Sequence, residues 1–260
     1  MSRYKEHFTV SSHDVDNNNM LRPSMLVQFM QETANHQMRD RRPTYYELLN
    51  DGKAFVVTRF SMDVKQPPKM YDELVCETWS CPAKAATFIR SFRVLRGSEP
   101  CAEGYSEWAL SDRKSGELVR TKEIDLSEYE SEEPKKTLMP TRFRLPNDIE
   151  YEKVGKKKVF YSDVDLNMHM NNTRYSDMLW NYIPDVEKKI VRGVSIRFMA
   201  EAAYGSEIEI FRSNGKVDSA ILSLENQAMS RDGKFFDYHL FRTTVNDKKN
   251  VDAIFKMEEL

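Results

Sequence analysis

Apolar positions along the chain change period twice, in the same order each time. Between residues 23 and 33 they recur at helical spacing: Leu26, Phe29, Met30 and Thr33 share a face, with Pro23 and Ser24 at its start. From residue 60 the spacing drops to two. Phe60, Met62 and Val64 alternate, then residues 73–80, then Phe88, Arg90, Phe92 and Val94, then 103–111 and 117–122. The second part begins again with a helical stripe. Tyr175, Met178, Leu179, Tyr182 and Ile183 follow i, i+3, i+4, i+7, i+8 and predict a helix over 173–183. Asn171, Asn172 and Thr173 are available as caps, and Pro184 closes the helix. Strand patterns return at Val194/Ile196/Phe198, Ile208/Ile210, 217–224 and 234–245. Turn signals separate them: Gln66-Pro-Pro68, Arg96-Gly-Ser98, Ser213-Asn-Gly215 and Arg231-Asp-Gly233.

Ahead of each helix stands a related segment. Lys5 to Asp16 and Val154 to Asp165 lie 149 positions apart, both end in Asp-Val-Asp, and Val10 falls on Val159. Each half is therefore one strand, one long helix and about four further strands. A helix with an apolar stripe has only a curved antiparallel sheet to bury it against. This is the hotdog arrangement, and two copies make an α+β double hotdog. The boundaries read as residues 1–124 for the first repeat, 125–150 for a connector and 151–260 for the second. The connector carries the acidic run from Asp125 to Glu133, with Pro134, Pro140 and Pro146, and reads as a solvated linker.

Charge and composition narrow the function. Thirty-nine basic and 41 acidic residues leave a net charge of −2, which argues against a broad nucleic-acid-binding surface. No apolar run approaches the length of a membrane span, and the N-terminus lacks a signal-peptide core. Cys76, Cys81 and Cys101 are an odd number of thiols in a chain long enough to fold without staples. A cytoplasmic protein is expected. The five histidines show no ligand-like clustering, so neither a metal nor another cofactor is expected.

Tyr161 to Asn172 is the densest polar stretch, and Asp165, Asn167 and His169 alternate within it. In an extended segment the three point to one side. The segment runs into a helix N-terminus, where backbone N–H groups favour developing negative charge. Carboxylate, amide and imidazole there suit the polarisation of a carbonyl; the same residues also make an ordinary polar turn. In the first half Asp16 and Asn18 match Asp165 and Asn167, but Met20 stands opposite His169, and Pro68 opposite Glu201. One copy is equipped for acid–base work and the other is not.

The run Ser162-Asp-Val-Asp-Leu-Asn-Met-His-Met-Asn-Asn172, the helix ending Asn181-Tyr-Ile-Pro184 and Glu201 resemble the acyl-acyl carrier protein thioesterases of plants and bacteria. Met30-Gln-Glu-Thr-Ala34, Glu77-Thr-Trp79 and Trp108 extend the resemblance through the first half. It implies a double hotdog and hydrolysis of the thioester joining a fatty acyl chain to acyl carrier protein, with Asp165, Asn167, His169 and Glu201 as the catalytic set. Plant members begin with a plastid transit peptide, whereas this chain starts at its first strand, so the bacterial type is expected. Many members carry Cys after the catalytic Glu; here that residue is Ala202, which disfavours a thiol nucleophile.

The expected chemistry is water attack. Glu201 serves as base, Asn167 and His169 position the water or the carbonyl, Asp165 orients Asn167 or the loop, and N–H groups opening the 173–183 helix hold the oxyanion; which of Glu201 and Asp165 touches the water stays open, as does a covalent carboxylate route. Leu26, Phe29, Met30, Phe55, Val57 and Phe60 are candidates to line an acyl tunnel in the first half, or are plain core; spacing does not separate the two. Arg41-Arg42, Lys135-Lys136, Lys156-Lys-Lys158 and Lys188-Lys189 are candidate basic patches for an acidic carrier. An acyl-CoA thioesterase and a non-catalytic acyl-binding regulator are the alternatives. Oligomeric state stays open, a homodimer being one option.

Overall fold

The computed structural model describes residues 3–213 and 236–260. The strand expected over 217–224 and the turns at Asn214-Gly215 and Arg231-Asp-Gly233 lie outside the described residues. The chain forms two compact units, residues 1–21 with 25–137, and residues 22–24 with 138–260.

In the first unit β1 (Tyr4–Thr9), β2 (Lys53–Val64), β3 (Glu73–Lys84), β4 (Thr87–Arg96) and β5 (Glu99–Asp112) pair antiparallel in the order β1-β3-β4-β5-β2. The second contains β6 (Tyr151–Lys158), β7 (Lys189–Phe198), β8 (Glu207–Ser213), β9 (Asp237–Val245) and β10 (Lys248–Glu259), in the order β6-β8-β9-β10-β7. Replacing each strand by its counterpart turns one order into the other. The α+β double hotdog is thus built from two copies of one topology.

Helix α1 (Pro23–Asp40) fills the first copy. Leu26, Val27, Phe29, Met30, Ala34 and Met38 are all buried, and Met30 is fully enclosed. Burying side chains of this size contributes about 1.5–3 kcal/mol each. The ring of Phe29 stacks on Phe8 of β1, 4.4 Å between centroids. Met30 lies so close to Gly104 of β5 that a Cβ there would meet its sulfur at 2.6 Å. A short helix, α2 (Tyr45–Asn50), follows. Its start is a reciprocal cap: Glu47 N donates to Thr44 Oγ1 at 3.2 Å, and Thr44 N to Glu47 Oε2 at 2.8 Å.

The second copy departs from expectation at its helix. The stripe from Tyr175 to Ile183 predicts eleven helical residues, yet α3 covers only Arg174–Trp180. Beyond it the amides of Tyr182 and Ile183 bond three residues back, to Leu179 and Trp180 carbonyls, both at 3.0 Å. The chain has tightened ahead of Pro184. Ile183 is still buried, and the ring of Tyr182 lies against Gly155 of β6, leaving no room for a Cβ. The apolar pattern is therefore honoured by a tighter turn.

Two further elements differ. Strand β10 escapes a search for alternation because residues 250–258 are buried without interruption. Residues 117–122 are not a strand: Leu118 bridges Ser111, and Thr121–Glu123 form a single tight turn. The connector is anchored rather than solvated throughout. Tyr129 packs with Met38, Leu48 and Phe88 in the first unit; Met139 and Leu145 pack with Tyr238, Leu240 and Ile254 in the second. Among the described residues no helix is long and apolar enough to cross a membrane.

Candidate active site

The turn between β6 and α3 is built by Asp165. Its Oδ1 accepts the Asn167 amide at 2.8 Å, its carbonyl accepts the Met168 amide at 3.0 Å, and its own amide donates to the His169 carbonyl at 2.9 Å. Val164 bridges Met170, and Met168 sits at φ 61°. Asp165, Asn167 and His169 thus follow a tight turn and not the extended course that alternation implies. Asp163 braces it from below. Its carboxylate accepts the Phe160 amide at 2.9 Å and pairs with Lys157 Nζ at 2.7 Å, while its carbonyl accepts the Asn171 amide at 2.9 Å. Burial pulls the Asp163 carboxyl upward, but Lys157 and the Phe160 amide outweigh it and hold it below the usual carboxylate range.

The first half makes the same turn. Val15 bridges Leu21, Asp16 Oδ1 accepts the Asn18 amide at 2.9 Å, the Asp16 amide donates to the Met20 carbonyl at 2.8 Å, and Asn19 sits at φ 57°. The turn and its aspartate therefore belong to the fold, whatever chemistry is added. What the second half adds is His169.

Glu201 reaches the turn from the segment that follows β7. Met170 N donates to the Ala202 carbonyl at 2.8 Å and Tyr204 N to the Met168 carbonyl at 2.9 Å, so His169 and Ala203 face each other across a bridge. This brings His169 Nδ1 to 3.1 Å from Glu201 Oε2. In the first half Leu21 N bonds the Pro68 carbonyl at 2.8 Å and Tyr71 N the Val10 carbonyl, as Gly205 N bonds the Val159 carbonyl in the second. These contacts set Ala202 on Pro68, so the residue opposite Glu201 is Pro67; the sequence pairing with Pro68 is off by one. The first half lacks the carboxylate either way.

A carboxylate can only accept, so His169 Nδ1 carries the proton of this contact. The Glu201 side chain is 57% exposed and the His169 side chain 32%. Asn167 is exposed, and its carboxamide has no partner among the described residues. Imidazole, carboxylate and amide are therefore open to an incoming ligand. The helix-start amides are not. Thr173 N donates to Asn171 Oδ1 at 2.9 Å, Arg174 N to the Asn171 carbonyl at 3.0 Å, and Tyr175 N reaches the Asn172 carbonyl at 3.4 Å. Capping by Asn171 uses the donors that the sequence reading reserved for an oxyanion.

The apolar candidates of the first half are enclosed. Leu26, Phe29, Met30, Val57 and Phe60 are buried, and Phe55 is half-buried with its ring edge-on to Phe88 at 5.1 Å. All three cysteines are buried and free. Burial pushes the Cys76 thiol up to about 12 and Cys101 to about 11, and raises Cys81. None is a thiolate at neutral pH. Among the described residues no three His, Cys, Asp or Glu side chains gather as a metal site requires.

Sequence reasoning missed an apolar rim. Phe160, Tyr161, Leu166, Met168 and Tyr204 are large and exposed, all on or beside the turn, and Tyr161 meets Tyr204 edge-on at 6.2 Å. The signal was an apolar residue at every second place, Leu166 and Met168, between the polar ones.

The acyl-ACP thioesterase N-terminal domain family matches residues 1–129 and the C-terminal domain family residues 147–256, and the chain belongs to the acyl-ACP thioesterases. The oleoyl-acyl carrier protein thioesterase 1, chloroplastic, of Arabidopsis thaliana is 24% identical over 200 residues, 70% of this chain; the chain spans 55% of that protein. A crystal structure of an acyl-ACP thioesterase from Bacteroides thetaiotaomicron superposes with a TM-score of 0.80 at 19% identity, covering 98% of this chain and 97% of that one. A putative oleoyl thioesterase from Lactobacillus plantarum gives 0.82 at 18% identity, over 100% and 97%. The 12:0-ACP thioesterase from Umbellularia californica gives 0.79 at 16% identity, over 99% and 94%.

Proposed function

We propose that this chain hydrolyses the thioester between a fatty acyl group and acyl carrier protein, at a site made of Asn167, His169 and Glu201 on the Asp165 turn. The observation that carries this reading is the His169–Glu201 contact at 3.1 Å, formed in the copy that has both groups. Glu201 Oε2 is held by His169, and Oε1 takes a proton from water as that water's oxygen bonds to the thioester carbon. The carboxamide of Asn167 donates to the carbonyl oxygen as it gains charge. The C–S bond then breaks, and the Glu201 carboxyl returns its proton to the departing sulfur. Atoms balance as acid plus thiol, with water the only co-reactant. The same contact favours one second reading, in which His169 Nε2 takes the proton and Glu201 steadies the imidazolium.

The carrier is inferred from the rim. Acyl carrier proteins are acidic, and the exposed apolar side chains around the turn stand beside the exposed cations Lys158 and Arg174. An apolar surface edged with positive charge suits transient docking of such a partner. Six of the eight other basic candidates are already engaged: Lys156 by Glu207, Lys157 by Asp163, Lys135 by Glu103, Lys188 by Asp185, Lys189 by Asp237 and Arg42 by Glu47. Acyl carrier proteins loaded with acyl chains of graded length, compared with the same chains on CoA, test the proposal through released fatty acid. Equal kcat/KM on both carriers replaces the carrier reading with the acyl-CoA one; no release from either leaves an acyl-binding protein.

A further inference from the structure

Behind Glu201 lies a buried hydrogen-bonded set that the mechanism above does not use. Asn250 of β10 is fully enclosed, as is Thr243 of β9, and Tyr175 of α3 is 2% exposed. Asn250 Nδ2 donates to Tyr175 Oη at 3.1 Å and to the Ala200 carbonyl at 2.5 Å, while its Oδ1 accepts from Thr243 Oγ1 at 2.9 Å. The carboxamide spends both donors and its acceptor inside the protein. Ala200 immediately precedes Glu201. Burial pushes the Tyr175 phenol up to about 12, and the nearby Glu201 carboxylate adds to this against the Asn250 hydrogen bond. The hydroxyl thus stays protonated.

The first half shows what the fold itself needs at this place. Val64 pairs with Ala102 and Ala102 with Val94, as Phe198 pairs with Val251 and Val251 with Thr243. Lys65 N and Gln66 N donate to the Cys101 carbonyl at 2.9 and 3.2 Å, just as Met199 N and Ala200 N donate to the Asn250 carbonyl at 2.9 and 3.3 Å. Cys101 is therefore the counterpart of Asn250, Val94 of Thr243, and Leu26, 149 positions earlier, of Tyr175. All three counterparts are buried and bear no carboxamide or hydroxyl. The backbone clamp on the chain leaving the strand is common to both halves. The side-chain clamp exists only where Glu201 follows.

Burying three polar side chains where apolar ones serve the same architecture costs free energy unless every group is satisfied. We infer that Tyr175, Thr243 and Asn250 are positioning residues that fix the Ala200–Glu201 peptide, and so hold the Glu201 carboxylate against His169. This rests on the reading of Glu201 as the base. A displacement of about 1 Å at such a group lowers turnover by up to about 100-fold.

The test is steady-state hydrolysis of acyl carrier protein substrate by the full chain carrying Asn250→Cys, Thr243→Val or Tyr175→Phe, each alone and on a Glu201→Gln background. Asn250→Cys and Thr243→Val are expected to lower kcat about 10- to 100-fold with KM within about twofold. Thr243→Ser, which keeps the hydroxyl, should recover most of that loss. Tyr175→Phe removes one oxygen and keeps the ring contact with Phe198, so it reports even if the Asn250 variant does not fold. On the Glu201→Gln background each change should add less than about twofold, because it acts through a carboxylate already gone. Wild-type kcat in folded Asn250→Cys, or losses that multiply with that of Glu201→Gln, overturns the inference and leaves the base in place. Near-normal turnover by Glu201→Gln alone removes the base and the inference with it.

Discussion

His169 Nδ1 stands 3.1 Å from Glu201 Oε2, and the places that correspond to these residues in the first half hold Met20 and Pro67. Neither can give or take a proton. Replacement of Glu201 by Gln or of His169 by Ala should lower kcat by about 10² or more, the scale of acid–base groups. Met20→Ala and Pro67→Ala should alter stability or KM and leave kcat within a few-fold. Stopped assays of released fatty acid at saturating substrate separate the cases. Chemistry in the second half alone fails if Met20→Ala cuts kcat as deeply as His169→Ala.

The two assignments of the base differ in pH dependence. The base must be unprotonated to act, so kcat/KM rises with pH through the pKa of the free enzyme's base and then levels. Replacing the acting base removes that limb, whereas replacing its partner leaves the limb in place at a lower plateau. A pH series on Glu201→Gln and on His169→Ala decides between them.

Acid should loosen the turn before it denatures the protein. The Asp163 carboxyl is held below its ordinary value by Lys157 and the Phe160 amide. Its folded pKa is thus below the unfolded one, so its contribution is complete above the ordinary carboxylate pKa. That contribution is lost as pH falls through this range toward the folded value. Asp163→Asn should reduce the acid sensitivity of melting temperature relative to wild type, while lowering stability at neutral pH. An unchanged slope of melting temperature against pH below about 5 would count against this.

Thiols are expected to be dispensable. Cys76, Cys81 and Cys101 are buried, and burial raises all three pKa values. A variant with all three changed to Ala should keep kcat within a few-fold, at a cost of about 1 kcal/mol in stability per site. Loss of turnover with an intact melting transition would show that a thiol is required.

Docking through the rim should appear in the association step. Lys158→Glu with Arg174→Glu should lower kcat/KM on acyl carrier protein substrate and spare kcat. The wild-type kcat/KM should fall as salt shortens the Debye length from ~10 Å at 0.1 M. On CoA substrates both effects should be small. A doubly reversed variant with unaltered kcat/KM on the carrier moves the docking site elsewhere.

Most of the architecture could be read from period alone, because most strands in each half, and α1, bury one side. The pattern misled where burial is two-sided, as along β10, or where a helical stripe is met by a tighter turn, as from Tyr182 to Pro184. Asp165, Asn167 and His169 were legible as residue types at a spacing, and Glu201 through the comparison of the halves and the family resemblance. Their geometry was not, since an Asx turn at Asp165 replaces the extended course. The roles of Asn250 and Thr243 were invisible: each lies on a strand far along the chain from the turn, and only the paired registers bring them beneath Glu201.

The doubled turn gives the chain its own control. Asp16 and Asp165 fold the same loop around different neighbours, with Asn19 and Met168 at φ 57° and 61°. Each position of the proposed site therefore has a counterpart in the same polypeptide, made in the same cell at the same concentration. Residues exchanged between such partners separate what a site needs from what a fold needs, without recourse to a second protein. The exchange also runs in the other direction. Met20→His with Pro67→Glu places the missing pair on a loop already shaped for it, which makes the silent half a ready scaffold for a second, independently tuned centre.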